Sequence, residues 1–196
     1  RQAPEELEGP SLLMLARIAV TRQEPWAEEL LDEASAAGVD PTRQVELLLL
    51  RIERLVRGDR VQDAEPLLEE AARLSKRLGL PKLQSAVCMA DGDVARMLRE
   101  PTRSKAAYAR AISLVKDRDA EVRYRVELRL GDLAVIEQDM AAAARHWSAA
   151  AEGFGQYELP VREAWAMARL LRLCLHDAKR ATPLLKAARD RFVAAD

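Results

Sequence analysis

Apolar residues recur along the chain at three- and four-residue spacing, and that period is interrupted at proline, glycine and short polar runs. The pattern predicts ten helices. Pro10 opens the first, about Ser11–Arg22, and Pro25 opens the second, which ends at Gly38. Pro41 opens a third, about Thr42–Arg57, closed by Gly58-Asp59, and a fourth runs to Leu78-Gly79 with Pro66 in its first turns. Pro81 and Pro101 open the fifth and sixth, which reach about Arg99 and Lys116. The remaining four cover about Ala120–Gln138, Met140–Tyr157, Pro160–His176 and Ala178–Ala195. β-Branched residues are scattered and no two-residue alternation persists, so no strand is expected.

A second, longer period lies over the first. Ala27–Leu31–Ala34, Ala64–Leu68–Ala71, Ser104–Tyr108–Ala111, Ala143–Trp147–Ala150 and Ala181–Leu185–Ala188 each read small, large, Ala on one helical face. Their starting residues follow one another at intervals of 37, 40, 39 and 38. Twelve residues before each start, on the preceding helix, stand Leu15, Ile52, Gly92, Gly131 and Arg169. A small residue there lets the partner helix approach, and the large one fills the wedge beside it. Near-constant periods of this size are expected of an α-solenoid built from stacked helix pairs.

Leu130-Gly131 followed by Ala143, Trp147 and Ala150 resembles the tetratricopeptide repeat (TPR) family, and Gly92 with Tyr108 and Ala111 resembles it next best. Trp165 stands where the family's opening Trp would be. The resemblance covers nearly the whole chain and implies an all-α, right-handed solenoid of about five antiparallel helix pairs. The repeats are expected at about 10–38, 41–79, 81–117, 119–157 and 159–195, after a flexible lead-in at 1–9. Three features depart from the family pattern: the period exceeds its usual 34 residues, Arg169 replaces the small residue in the last copy, and the closing Pro is displaced or missing. TPR-like arrays of long repeat resemble those attached to bacterial transcriptional activators, kinases and signal-transduction ATPases. With its start at Arg1 and its end at Asp196, the chain is expected to be a piece of such a longer protein.

Composition narrows the partners. Hydrophobic residues make up 49% of the 196 but aromatics only 4%, so the core is to be built from Leu, Ala and Val. Thirty-one basic residues, only six of them Lys, face 32 acidic ones for a formal charge of −1. That balance leaves no footprint for nucleic acid and no polybasic membrane patch. With no signal peptide and no apolar run near 18 residues, a cytoplasmic setting is expected. Cys88 and Cys174 lie in different repeats without metal or redox spacing and read as packing residues.

No catalytic motif appears, and no cofactor or metal is expected. Asp91-Gly92-Asp93 lacks the further oxygen ligands of a calcium loop. Adjacent acids such as Glu28-Glu29 diverge on a helix, and His146 and His176 fall on different repeats. What remains is the face that the first helix of each pair turns to a groove. Aligning the copies places Leu49, Met89 and Leu128 at one groove position, Glu53, Asp93 and Asp132 at another, and Arg96 beside them. A one-residue slip in this register would move the same residues into the core. Chaperone-tail clamps of the family carry basic residues at such sites, so that ligand is disfavoured. The expected activity is a non-catalytic protein–protein interaction scaffold whose partner is an apolar, basic segment. The alternative is a sensor or regulatory domain that binds a small molecule or controls an attached kinase, ATPase or activator. An exposed end of such an array can also pair with another copy of the chain.

Overall fold

The structure, a computed structural model, describes residues 9–58, 60–116, 119–174 and 177–193, the side chains of residues 178 and 180 excepted. It is all-helical: among the described residues there are ten α-helices and no strand. They are α1 (Gly9–Arg22), α2 (Ala27–Ala36), α3 (Pro41–Arg57), α4 (Glu65–Leu78), α5 (Pro81–Met97), α6 (Pro101–Val115), α7 (Ala120–Ile136), α8 (Met140–Gln156), α9 (Pro160–Leu173) and α10 (Ala178–Val193). A 3₁₀ turn, Val61–Ala64, precedes α4 and puts Pro66 near the N-terminus of that helix, where its missing N–H costs no hydrogen bond. None of the described helices is long and apolar enough to cross a membrane. Of the expected lead-in at 1–9, residues 1–8 lie outside the described residues and Gly9 is buried at the start of α1; the last turn of the ninth helix at 175–176 and the end of the tenth at 194–196 also lie outside the described residues.

Local chemistry sets the boundaries. The Asp40 carboxylate accepts from the Thr42 and Arg43 backbone amides, and Pro41 holds the first helical position of α3. Asp119 and Asp139 cap α7 and α8 in the same way. Four turns share one closing pattern. Glu24, Glu100, Asp139 and Leu159 each donate their backbone N–H to the carbonyl five residues back, those of Ala19, Ala95, Ala134 and Phe154. Gln23, Arg99, Gln138 and Glu158, one residue earlier, take positive φ.

The chain forms two compact units, 1–114 and 115–196. In the first, α3 is the seam. Its run Leu47-Leu48-Leu49-Leu50 makes two of its sides apolar, so it is covered twice. Leu47 and Leu50 pack with Leu12, Ala16, Ala19, Ala27, Leu31 and Ala34 of α1 and α2. Val45, Leu48 and Ile52 pack with Leu68 and Ala71 of α4 and with Val87 and Val94 of α5. Farther along, Ser104 Oγ donates to the Gly92 carbonyl at 2.9 Å and Ser85 Oγ to the Ala111 carbonyl at 2.8 Å, so a side chain of each helix bonds the backbone of the other between α5 and α6.

Two of the paired small and large positions meet in the structure. Tyr108 is fully buried against Gly92, and a Cβ added at that glycine would overlap its ring. In the second unit Trp147 of α8 lies on Gly131 of α7 in the same way. A reciprocal notch, Gly153 on α8, receives Tyr124 of α7, whose ring also meets Phe154 edge-on at 6.0 Å between centroids. Two expected positions fall elsewhere. Leu15 is 38% exposed while Ala16 is completely buried, so Ala16 is the residue that corresponds to Ile52. Leu185 is 58% exposed, unlike Leu31, Leu68, Tyr108 and Trp147. Arg169, standing where Gly92 and Gly131 do, offers no notch for a large side chain.

Two consequences can be measured by urea denaturation. Trp147→Ala should cost about 3–5 kcal/mol through loss of a large buried side chain, and Gly131→Leu should be comparably severe because the indole ring already occupies the space. Near-wild-type midpoints in both variants would contradict the contact. Gln138→Gly should instead stabilise by about 0.5–1 kcal/mol, since a non-glycine residue there bears the left-handed conformation. A lowered midpoint would show that the Gln138 side chain contributes more than its backbone costs.

Candidate functional site

Asp93 and Asp132 follow the two notch glycines directly, and their roles begin there. Tyr108 Oη donates to Asp93 Oδ1 at 2.8 Å. Trp147 Nε1 is shared between Asp132 Oδ1 and the Leu128 carbonyl, both at 3.2 Å. Donor and acid stand 15 residues apart in both cases. A buried aromatic with a polar tip needs an acceptor, and the acid beside the glycine supplies it.

Those carboxylates then carry their own counter-ions. Arg169 Nε donates to Asp132 Oδ1 at 2.6 Å, and Arg129 stands 3.6 Å from the other oxygen. Arg96 lies 3.7 Å from Asp93. Glu53 has Leu68 at the spacing where the later pairs carry an aromatic, and it bonds Arg57 one helical turn on. The expected acidic row is therefore compensated within the chain, with Glu53 its most accessible member at 40% side-chain exposure.

Of the apolar groove candidates, Met89 is buried, and Leu49 is half-buried against the cluster around Ile52. Leu128 is half-buried between two clusters of the second unit, one around Phe154 and one around Trp147. Arg96 is largely buried, and its Nε has no hydrogen-bond partner among the described residues. Leu49, Glu53, Met89, Asp93 and Arg96 belong to the first unit, Leu128 and Asp132 to the second. Among the seven, direct polar contact joins Asp93 to Arg96.

A polar centre that sequence reasoning missed lies on Arg103. Its guanidinium grips both oxygens of Glu65 at 2.8 and 2.9 Å, Asp91 at 2.9 Å and Glu100 at 3.1 Å. Asp91 is thus an arginine ligand. Two such clamps span similar separations, Glu65 to Arg103 over 38 residues and Asp132 to Arg169 over 37. Recurrence of acid and Arg at the repeat interval was the available signal. The Arg103 bonds hold the Glu65 carboxyl below the usual glutamate range against a smaller opposing effect of burial. Burial pushes the Cys88 thiol up, and both cysteines are free and half-buried. His146 Nδ1 lies 2.7 Å from Glu127 Oε2; His176 is outside the described residues.

Because Glu65 titrates lower when folded than when unfolded, its clamp stabilises fully above the ordinary glutamate range and is lost as pH falls through the depressed value. Glu65→Gln should cost about 0.5–1 kcal/mol at neutral pH, a figure held down by the solvent exposure of the pair. The gap between variant and wild type should narrow on acidification, as urea midpoints from neutral to acidic pH would register. A gap constant with pH would exclude the ionised pair as its cause.

No protein-family model matches the chain, and no curated protein or solved structure is significantly similar to it.

Proposed function

We propose that the chain is a non-catalytic protein–protein interaction scaffold, a right-handed solenoid of five TPR-like helix pairs. The observation that carries this reading is the recurrence of one contact at one spacing: Gly92-Asp93 with Tyr108, then Gly131-Asp132 with Trp147. A contact repeated in successive pairs fixes how the two helices of a pair approach. Stacking of such pairs sets their first-helix faces side by side as an extended ligand surface. The all-helical architecture and the packing of α1 on α3 and α3 on α5 support it.

The ligand proposed for that surface is an apolar segment of another protein with basic residues toward Glu53, Asp93 and Asp132. Since Asp93 and Asp132 also hold aromatic tips, their charge must be tested without losing their hydrogen bonds. Glu53→Gln/Asp93→Asn/Asp132→Asn keeps the acceptors and removes three charges. On an array of amphipathic peptides, the wild type should retain basic sequences over acidic ones of equal length. The variant should lose about tenfold of that preference, in keeping with complementary charge at an interface. A wild type that retains both classes equally, or a variant that keeps the preference, overturns the assignment.

A further inference from the structure

Glu53 differs from the other two acids of its row. Asp93 and Asp132 each accept the polar tip of a buried aromatic ring, whereas the residue at the same spacing from Glu53 is Leu68, which has none. The Glu53 carboxylate is held instead by Arg57, whose Nη2 donates to Oε1 at 2.5 Å. Four residues after Asp93 and Asp132 stand Met97 and Ile136, so Arg57 has no counterpart at that position. The same guanidinium reaches a second helix, its Nη1 donating to the backbone carbonyl of Thr21 at 3.1 Å. Thr21 lies in the last turn of α1, and the residue four on is Pro25, which has no N–H to offer that carbonyl. The Thr21 carbonyl takes its donor from α3.

A carboxylate and a helix-terminal carbonyl that share one guanidinium make a receptor for a planar cation. The C-terminal end of α1 adds partial negative charge to it. A guanidinium satisfies both acceptors with two nitrogens of one fork, whereas an ammonium offers a single point. The site is open to solvent, with the side chains of Arg57 and Glu53 36% and 40% exposed. An exposed pair of this kind contributes little, so it opens readily. Of the arginines on α1, Arg17 is held by Glu46 of α3 at 2.9 Å, and Arg22, in the last turn, is exposed. A cation approaching Glu53 therefore meets like charge, and its binding rests on the two acceptors and not on a general negative field.

We propose that Glu53 and the Thr21 carbonyl form a guanidinium site, filled by Arg57 in the free protein and by an arginine of the partner in the complex. Arg57 is thus a built-in competitor. It ties α1 to α3 in the free protein, and a lysine-bearing segment displaces it less well than an arginine-bearing one. The inference rests on the ligand reading given above and narrows it, from a basic partner to one that presents an arginine at Glu53. A clasp that is closed most of the time lowers apparent affinity by the fraction of molecules in which it is open, about fivefold for a weak exposed pair. Removing Arg57 returns that factor.

Arg57→Ala in the 196-residue chain tests it. Methylguanidinium chloride, followed by carbon NMR, should shift the Thr21 carbonyl and the Glu53 carboxyl resonances of the variant. It should leave both unmoved in the wild type, and methylammonium chloride should move them less. A basic amphipathic peptide that carries arginine should bind the variant about fivefold more tightly than the wild type. Its lysine counterpart should gain little, and Glu53→Gln added to Arg57→Ala should abolish the gain. Circular dichroism should be unchanged; a variant that loses helix makes Arg57 a structural clamp and overturns the proposal. So does methylguanidinium that leaves the variant's Thr21 carbonyl in place or moves wild type and variant alike, or an arginine peptide that binds both equally. If the wild type still prefers basic peptides on the array, those results remove the competitor and leave the ligand reading standing. Absence of that preference in wild type and variant alike removes both.

Discussion

The close approach of an aromatic ring to a glycine on the neighbouring helix is the constraint from which the rest follows. Tyr108 and Trp147 have room only because Gly92 and Gly131 lack a Cβ. A ring buried so deeply brings its polar tip with it, and an unbonded tip would be costly. The residue after each glycine is an Asp whose oxygen accepts that tip. The acid in turn lies partly out of water and is compensated by Arg96 or by Arg169. Notch, ring, acid and arginine thus form one dependency. The notch limits helix separation, while the last link at Asp132 ties α7 to α9.

Arg169 shows what happens when the notch residue is exchanged. It stands at the glycine position of the last pair but serves the acid of the preceding one. The large position opposite, Leu185, is then left in solvent. α9 and α10 hold together by other means: Ala188 is buried, Trp165 meets Phe192, and the buried Glu163 bonds Arg191 at 2.7 Å. The pair stays formed without a glycine, but it gives up the ring-in-notch contact that positions the two earlier ones.

The elements were legible because proline, glycine and Asp caps act within a few residues, so local spacing carries them. The ring-in-notch contacts were legible because they recur, and Gly131 with Trp147 is readable from the period alone. Gly153 with Tyr124 was not, because it occurs once and runs in the opposite direction between α7 and α8. The surroundings of the candidate residues were only partly legible. Periodicity places Met89 and Leu128 on a face, but α5 and α7 are covered on more than one side, and which side meets solvent depends on the neighbouring helices. The shift from Leu15 to Ala16 has the same origin: a helix with apolar residues at 12, 13, 15 and 16 permits either register, and packing on α3 selects one.

Charge has a similar division of labour. A near-neutral chain with 32% charged residues could be read as a uniformly solvated surface. Instead Arg17, Arg51, Arg103, Arg162 and Arg169 each reach an acid on a different helix, and the α9 arginines return to Glu121 and Asp132 of α7. Exposed pairs of this kind contribute only about 0–1 kcal/mol each, so they set orientation more than stability. Arginine suits the task because its planar fork can satisfy both oxygens of one carboxylate, as Arg103 does with Glu65. Acids and arginines spent in this way between helices contribute little to an external field. The exposed charge left without such a partner is therefore what a neighbouring molecule would sense, and on α2 it is acidic while on α10 it is mainly basic.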